Sequence, residues 1–414
     1  MIKKYTRWQE QAIYEALKYR RVILLEGARQ CGKTTLAKDL NLPQIIYRTL
    51  DEPQLLEAAL TDPEGFVSHG DELMIIDEVQ RAPILLPIVK KNVDENQNYG
   101  RFLLTGSANI RSLPSATESL AGRVHKIRLR PLALGEVHGN PPQFIHNAFE
   151  GKFNIHKPNS NHSYNKDTYL SMAFYGGYPE VKGLPEERIR RWHKDYIDTI
   201  IEHDLKDISN IRRKDGMYKL LNVLAAWSTK FMNVSSICGE LSIKRPTVES
   251  YINALEVLYL VECVRPWTKT DYTRISKKDK LLMSDTGLMA SILRWSLEQI
   301  RLDSDRCGKL IETFVYTQLA AISEANDAQY QIYHYHDNKD REIDFIIENQ
   351  NGDILAIEVK AGSAVNKSMF KHMQWFKENL ADKRKFKGIV LYTGEHALSF
   401  GDNMWAVPIN SLWS

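Results

Sequence analysis

The sequence predicts an α/β protein whose first part is a parallel sheet, and three observations carry that reading. Val22-Ile23-Leu24-Leu25, Leu73-Met74-Ile75-Ile76 and Phe102-Leu103-Leu104 are short unbroken apolar runs, the pattern of strands buried on both faces. A glycine-containing loop follows the first run and leads into a helical segment at Leu36–Leu40. Adjacent acids, Asp77 and Glu78, close the second run. Strands alternating with helices bury both faces of a parallel sheet.

The first 135 residues keep this alternation, so a core domain is expected over 1–135. Residues 138–168 are rich in Asn, His and Pro and lack periodicity, which predicts a polar surface insertion. Residues 169–230 are expected to be helical, with Trp192, Tyr196, Ile200 and Ile201 near helical spacing. A helical lid over 136–230 follows from this. Val234, Ile237 and Leu241 suggest a further helix. Pro246 suits the first turn of the next one, which carries Val248, Tyr251, Ile252, Leu255 and Leu258. A strand over 258–264, a basic loop and a strand at Lys280-Leu281-Leu282-Met283 complete a winged-helix order, assigned to 231–300. From 301 to 414 the chain is α/β again. A helix is expected at 308–324 and another at 366–380, with strands near 331–335, 343–348, 354–359 and 388–392.

Composition excludes several classes. Hydrophobic residues make up 43% and charged residues 26%, as in an ordinary globular protein. Net charge is +3, so any nucleic-acid surface must be a local patch. Cys31, Cys238, Cys263 and Cys307 are widely spaced, which fits free thiols in a reducing cytoplasm rather than a disulfide framework or zinc site. No apolar run approaches the ~20 residues that span a bilayer. The basic N-terminus leads into polar residues, so no signal peptide and no membrane partner are expected, and the location expected is cytoplasmic.

Gly27-Ala28-Arg29-Gln30-Cys31-Gly32-Lys33-Thr34 matches the phosphate-loop pattern in full, between a strand and a helix, and Thr35 follows. Glycines let the backbone curl so that several N–H groups face phosphate oxygens. The pattern predicts ATP as ligand, with Lys33 on the β- and γ-phosphates and the Thr34 hydroxyl on Mg²⁺. Asp77 would hold the magnesium through water, and Glu78 would polarise the attacking water. After the third strand, Thr105 or Ser107 can sense the γ-phosphate. Arg123, in Leu120-Ala121-Gly122-Arg123, is a candidate for an arginine acting across a subunit interface, which would imply a homo-oligomer.

Near the C-terminus, Ile343–Ile347 and Ile354–Val359 are apolar runs joined by Asn351-Gly352, the signal of a hairpin. It would bring Asp344 near Glu358 and Lys360, which alternate onto one face. Glu312, on a preceding helix, can supply a fourth group. Glu312, Asp344 and Glu358 are candidate Mg²⁺ ligands, and Lys360 a water-orienting group. A solvated hairpin edge would carry similar acids. In the winged-helix segment, Lys244, Arg245, Thr247 and Ser250 can face DNA, with Lys269, Arg274, Lys277, Lys278 and Lys280 on the wing. Basic wings are also ordinary solvated loops. His334 and His336 lie beside the acids without enough partners to ligate a metal.

The tracts Glu26–Thr35, Ile76-Asp77-Glu78-Val79-Gln80-Arg81, Leu104–Ser107 and Leu120–Arg123 together resemble the prokaryotic AAA+ ATPases fused to a C-terminal domain of unknown function. Gly176-Gly177-Tyr178-Pro179, Ser284-Asp285-Thr286-Gly287-Leu288 and the C-terminal acids extend the resemblance over nearly the whole chain. It implies a P-loop AAA+ parallel sheet with a helical lid, then a winged helix. A C-terminal α/β domain similar to restriction endonucleases, the PD-(D/E)xK fold, would follow. Three functions stay open. One is an ATP-driven machine acting on DNA or a protein partner, another an Mg²⁺-dependent DNA nuclease gated by ATP, and the third a signalling switch without nuclease chemistry.

Overall fold

Strands β1 (Val22–Gly27), β2 (Ile45–Thr49), β3 (Leu73–Asp77), β4 (Phe102–Gly106) and β5 (Val124–Leu129) form one sheet in the order β2-β3-β4-β1-β5. Every pairing is parallel. The computed structural model describes residues 4–107, 122–153, 164–205, 214–269, 278–326 and 329–414. Side chains alternate between two cores, as strand geometry requires. Ile23, Leu25, Ile75 and Leu103 face one layer. Val22, Leu24, Met74, Ile76, Phe102 and Leu104 face the other, which the helix Leu85–Glu95 covers with Leu85, Leu86, Val89 and Val93. The order places β4 between the loop-bearing β1 and the acid-bearing β3, with Leu104 in register with both Leu24 and Ile76. The carboxyl ends of all three therefore open at one edge, where ligands bind in open α/β sheets.

The region expected to be a polar insertion is partly built in. Helix Leu134–His138 leads into it and helix Phe144–Glu150 occupies its start, with Phe144, Ile145 and Ala148 buried. Those three form an i, i+1, i+4 stripe among polar neighbours, short enough to escape a periodicity reading. Residues 154–163 of the insertion lie outside the described residues.

Helix Glu186–Thr199 runs on without interruption into a π-helical turn, Ile200–Asp204. Helices Lys214–Ala226, Val234–Leu241 and Arg245–Val257 follow. β6 (Val261–Val264) and β7 (Lys280–Met283) pair antiparallel. Helix Arg245–Val257 stops before Leu258, and Tyr259 then takes a left-handed turn (φ 57°) into β6. Asp285 caps helix Thr286–Ile292 through the Leu288 amide, 2.9 Å away, and accepts 2.7 Å from the Gly177 amide. A Cβ on Gly177 would lie 2.7 Å from the Leu132 carbonyl, so only glycine lets these two segments meet.

The C-terminal part begins with the helix Ser304–Ala325, four residues earlier than the sequence suggested, because the Asp303 carboxylate caps the Asp305 and Arg306 amides. Strands β8 (Tyr330–His336), β9 (Glu342–Asn349), β10 (Ile354–Lys360), β11 (Phe386–Tyr392), β12 (Leu398–Gly401) and β13 (Met404–Pro408) form a mixed sheet in the order β12-β13-β11-β10-β9-β8. β9 and β10 are the expected antiparallel hairpin, whereas β10, β11 and β13 run parallel.

These parts share one core. A contiguous apolar cluster includes Ile23 and Leu25 of β1, Leu220 and Leu255 of the middle helices, and Phe345, Ile357 and Trp413 of the C-terminal part. A buried ion network crosses the same seam: Arg130 lies 2.7 Å from Glu262 of β6 and 2.8 Å from Glu324 of the long helix. Tyr316 donates to Glu262 at 2.6 Å. The two flanking arginines, Arg128 and Arg130, hold the Glu262 carboxyl far below the usual range against the opposing effect of burial.

Candidate functional site

The loop after β1 is shaped by its backbone. A Cβ on Gly27 would sit 2.2 Å from the Leu129 carbonyl of the neighbouring strand, so the loop leaves the sheet only as glycine. Gln30 (φ 58°) and Gly32 (φ 104°) are left-handed, which curls the segment over the start of helix Lys33–Asp39. Lys33 is 4% exposed, and its ammonium donates to the Gly27 and Ala28 carbonyls at 3.0 and 2.9 Å. Cys31 is buried, with Sγ 3.3 Å from the Leu129 carbonyl. Arg7 belongs to no motif and is not legible as a site residue from the sequence. It braces the loop from outside, donating to the Cys31 carbonyl at 2.7 Å and the Arg130 carbonyl at 2.6 Å, and pairing with Glu136 at 2.9 Å.

Asp77 is 1% exposed and is the hub of a hydroxyl cluster. Thr34 Oγ1 lies 3.1 and 3.0 Å from its two oxygens, Tyr47 donates at 2.8 Å, and Thr105 donates from β4. Thr105 in turn accepts the Glu78 amide at 3.1 Å. Of the two residues suggested on the third strand, Thr105 thus touches both acids. Ser107 faces the cleft and accepts from Gln80 at 3.1 Å, and Gln80 also donates to Glu78. Glu78 is left-handed (φ 58°), so its side chain turns off the strand line instead of continuing beside Asp77. Burial pushes its carboxyl above the usual carboxylate range, and the Lys33 ammonium opposes that shift.

A cleft of about 670 Å³ lies over this edge, lined by Arg29, Gln30, Gly32, Lys33, Thr34 and Thr35 from the loop and by Glu78, Gln80 and Ser107 opposite. The volume suits a nucleotide. The residues fit a nucleoside triphosphate with magnesium: a curled loop, a buried lysine, and a hydroxyl against a carboxylate. Asp204, at the end of the π-turn, closes the cleft, with Oδ1 2.7 Å from Arg29 Nη1. Tyr196 donates to the Arg29 carbonyl at 3.3 Å. The sequence marks Tyr196 only as an apolar position of a helix and Asp204 not at all, since neither belongs to a motif.

Arg123 is not at this cleft. Val124 pairs with Val22, at the opposite end of β1 from Gly27, and Arg123 forms a two-pronged pair with Asp94 at 2.5 and 3.0 Å. Leu120 and Ala121 of its motif lie outside the described residues.

The C-terminal acids do converge, but on an ammonium. Lys280 of β7 is fully buried, with Nζ 2.6 Å from Glu312, 3.1 Å from Asp344 and 3.1 Å from Glu342. Asp344 also accepts the Val359 amide at 2.8 Å. Glu358 is held by Lys360 at 2.8 Å. Burial, reinforced by the Asp344 charge, pushes the Glu312 and Glu358 carboxyls up to about 8. Among the described residues no group of three or more acids, histidines or cysteines is disposed to hold a metal. Ligation of Mg²⁺ by Glu312, Asp344 and Glu358 therefore does not match this arrangement, because Lys280 supplies the positive charge.

The same contact corrects the wing. Lys280 does not face outward to DNA, since three carboxylates draw it inward. Lys269 pairs with Asp382 at 2.8 Å. Arg274 and Lys277 lie outside the described residues. Lys244, Arg245, Ser250 and Lys278 are exposed, and Arg245 pairs with Glu249 on its own helix at 2.8 Å. His334 Nε2 lies 3.1 Å from the Lys278 carbonyl. No helix among the described residues is long and apolar enough to cross a membrane.

Comparison with known proteins finds three matched stretches. Residues 19–138 match the model of an AAA domain, 166–299 a domain of unknown function (DUF8612), and 307–412 another (DUF4143). Two uncharacterised proteins, from Mycobacterium bovis and Mycobacterium tuberculosis, are each 27% identical over 401 residues, covering 94% of this chain and 80% of theirs. Solved structures are distant. The Holliday junction branch migration motor RuvB of Thermotoga maritima has a TM-score of 0.26 at 14% identity, covering 61% of this chain and 87% of that one. The S. cerevisiae Hsp104–ADP complex has a TM-score of 0.28 at 14% identity, covering 77% and 44%. At such scores the likeness says nothing about this chain's mechanism. The stretch that matches the AAA-domain model, residues 19–138, is the one that carries the parallel five-stranded sheet and the phosphate-loop pattern at its edge.

Proposed function

We propose that this chain is an ATP-hydrolysing switch in which the state of the cleft is transmitted to the middle and C-terminal parts. The observation that carries the reading is the Asp77 cluster, which joins the loop, the acid strand and the strand between them through the hydroxyls of Thr34 and Thr105. Gly27 to Thr35 would cradle the phosphates, and Lys33 would neutralise charge that builds on the β- and γ-phosphates. Mg²⁺, held by Thr34 and, through water, by Asp77, would supply further charge neutralisation at the phosphates. Glu78 would take the proton of the attacking water, a role helped by a carboxyl more basic than usual. Gln80 would orient that carboxylate, and Ser107 would report on the terminal phosphate.

The route outward is the Arg29–Asp204 pair. Arg29 belongs to the phosphate loop and Asp204 to the π-turn, so a change in the loop reaches the long helix of the lid directly. Arg123, at the far end of the sheet from its own cleft and paired with Asp94, would act only at the cleft of a second copy, a role that calls for a homo-oligomer with sites shared between subunits.

DNA contact rests on the helix pair Val234–Leu241 and Arg245–Val257 with the β6–β7 hairpin, a winged-helix arrangement. Its support is narrower than the sequence suggested, since Lys280 and Lys269 are engaged elsewhere. The nuclease reading has the hairpin, Glu312, Asp344, Glu358 and Lys360 in its favour and the buried Lys280 against it. A switch with a docking C-terminal part is the better fit. The deciding experiment measures ATP hydrolysis with and without duplex DNA and follows plasmid integrity with Mg²⁺ and ATP. Hydrolysis with intact plasmid supports the switch; nicked or linear plasmid, lost in Asp344→Ala, overturns it in favour of the nuclease.

A further inference from the structure

A second cavity, of about 400 Å³, lies away from the nucleotide cleft, between helices Glu186–Thr199, Lys214–Ala226 and Thr286–Ile292. Its walls are apolar, with Phe174, Ile197, Leu221 and Trp295 among them. Its rim is cationic: Arg190, Lys194 and Arg294 surround it, opposed by Asp198, which accepts from Tyr218 at 2.8 Å, and by Glu186, which pairs with Arg190 at 2.5 Å. Lys194 and Arg294 are exposed at the mouth. His193 is buried in the cavity wall, and its Nε2 has no hydrogen-bond partner among the described residues. Arg294 is held left-handed (φ 53°), a backbone state in which a long side chain is unusual.

We propose that this cavity binds a small organic anion, an apolar body carrying one acidic group, and that its occupancy is coupled to the nucleotide cleft. Apolar walls with a few convergent polar groups are what small-molecule sites present. The apolar body would fill the space against Ile197 and Trp295, and the acid would meet Lys194 and Arg294.

The coupling follows from one helix. Residues Ile189, His193 and Ile197 of Glu186–Thr199 line the cavity. On the same helix Tyr196 donates to the Arg29 carbonyl, and the π-turn that continues it ends at Asp204, paired with Arg29. A π-turn breaks the regular i to i−4 ladder and often marks a functional point in a helix. Filling the cavity shifts this helix against a loop residue of the nucleotide cleft. The coupling, unlike the cavity itself, rests on the nucleotide reading given above.

The probe is 1-anilinonaphthalene-8-sulfonate, an aromatic body with one sulfonate, titrated into the full folded chain and followed by fluorescence. Saturable binding is expected, displaced by decanoate and much less by decanol, which has the same chain without the charge. Asn222→Trp, an exposed helix position at the cavity edge, should block it sterically. Arg294→Gly keeps the left-handed backbone and removes one charge, so it should weaken binding about three- to fivefold, as loss of a partly exposed ion pair does. Dye binding unchanged in folded Asn222→Trp overturns the site, and equal displacement by decanol overturns the anion. Saturating ADP should change the dye affinity about fivefold or more, and by linkage the dye should change ADP affinity by the same factor. Equal dye affinity with and without bound ADP overturns the coupling. Absence of any ADP binding would instead remove the nucleotide reading and the coupling with it, leaving the cavity to be judged by Asn222→Trp alone.

Discussion

The Lys280 ammonium lies 2.6 Å from Glu312 Oε1, and this pair, withdrawn from solvent, pins the β6–β7 hairpin to the long helix Ser304–Ala325. Replacing one partner of such a pair leaves uncompensated buried charge, which costs about 3–5 kcal/mol. Lys280→Met should lose roughly that much in urea denaturation. Mn²⁺ should restore part of it in the variant, where the carboxylates face one another, and none in the wild type. A variant as stable as the parent would show that the lysine is not the charge that holds the acids together.

Stability should fall as pH rises between about 4.5 and 8. Glu312 and Glu358 have folded-state values raised to about 8. Across that window the folded chain keeps protons that the unfolded chain has released, so raising the pH favours unfolding. Glu312→Gln, which cannot ionise, should flatten the slope. The check is the urea midpoint measured at several pH values for both proteins.

Lys33→Ala should abolish ATP turnover while leaving the thermal midpoint of the ATP-free protein within a few degrees. Among the described residues its ammonium donates to the Gly27 and Ala28 carbonyls of the loop. Wild-type turnover in the folded variant would remove the loop from the mechanism.

Glu78→Gln should bind ATP and hydrolyse it about 10²–10⁴-fold more slowly, the usual contribution of a positioned base. Because burial raises the Glu78 carboxyl, wild-type turnover should decline with acid at a pH above the ordinary carboxylate range, and the variant should not share that limb. Single-turnover hydrolysis across pH reads both effects.

Arg123→Ala and Lys33→Ala, each inactive alone, should regain activity when mixed if Arg123 serves the cleft of a neighbour. A fully active wild type that remains monomeric by light scattering would exclude the shared site.

The cleft was largely legible in the sequence because Gly27 to Thr35 and Asp77-Glu78 are contiguous and their spacing encodes the geometry. The other two strands of its sheet were not. Ile45–Thr49 is only half-buried, and Val124–Leu129 mixes apolar and charged residues, so neither reads as a buried strand. Tyr47 and Thr105 join Asp77 from separate strands, and only sheet order brings them there. Lys280 was misread for a related reason. A lysine beside a basic loop looks solvated, and what reverses that reading is three acids brought in from the long helix and β9. Asp204 left no local trace, since its partner Arg29 is on another part of the chain.

The apolar core that runs unbroken from β1 to Trp413 makes durability a property of the whole chain. Nucleotide held at the cleft favours the folded form by mass action. One face of the mixed sheet belongs to that core, through Phe345, Ile357 and Leu391, so the protection extends to the other end. A loaded chain should then resist protease at residues far from its nucleotide, and an empty one should be nicked sooner there. Occupancy would set how long the protein lasts as well as what it does.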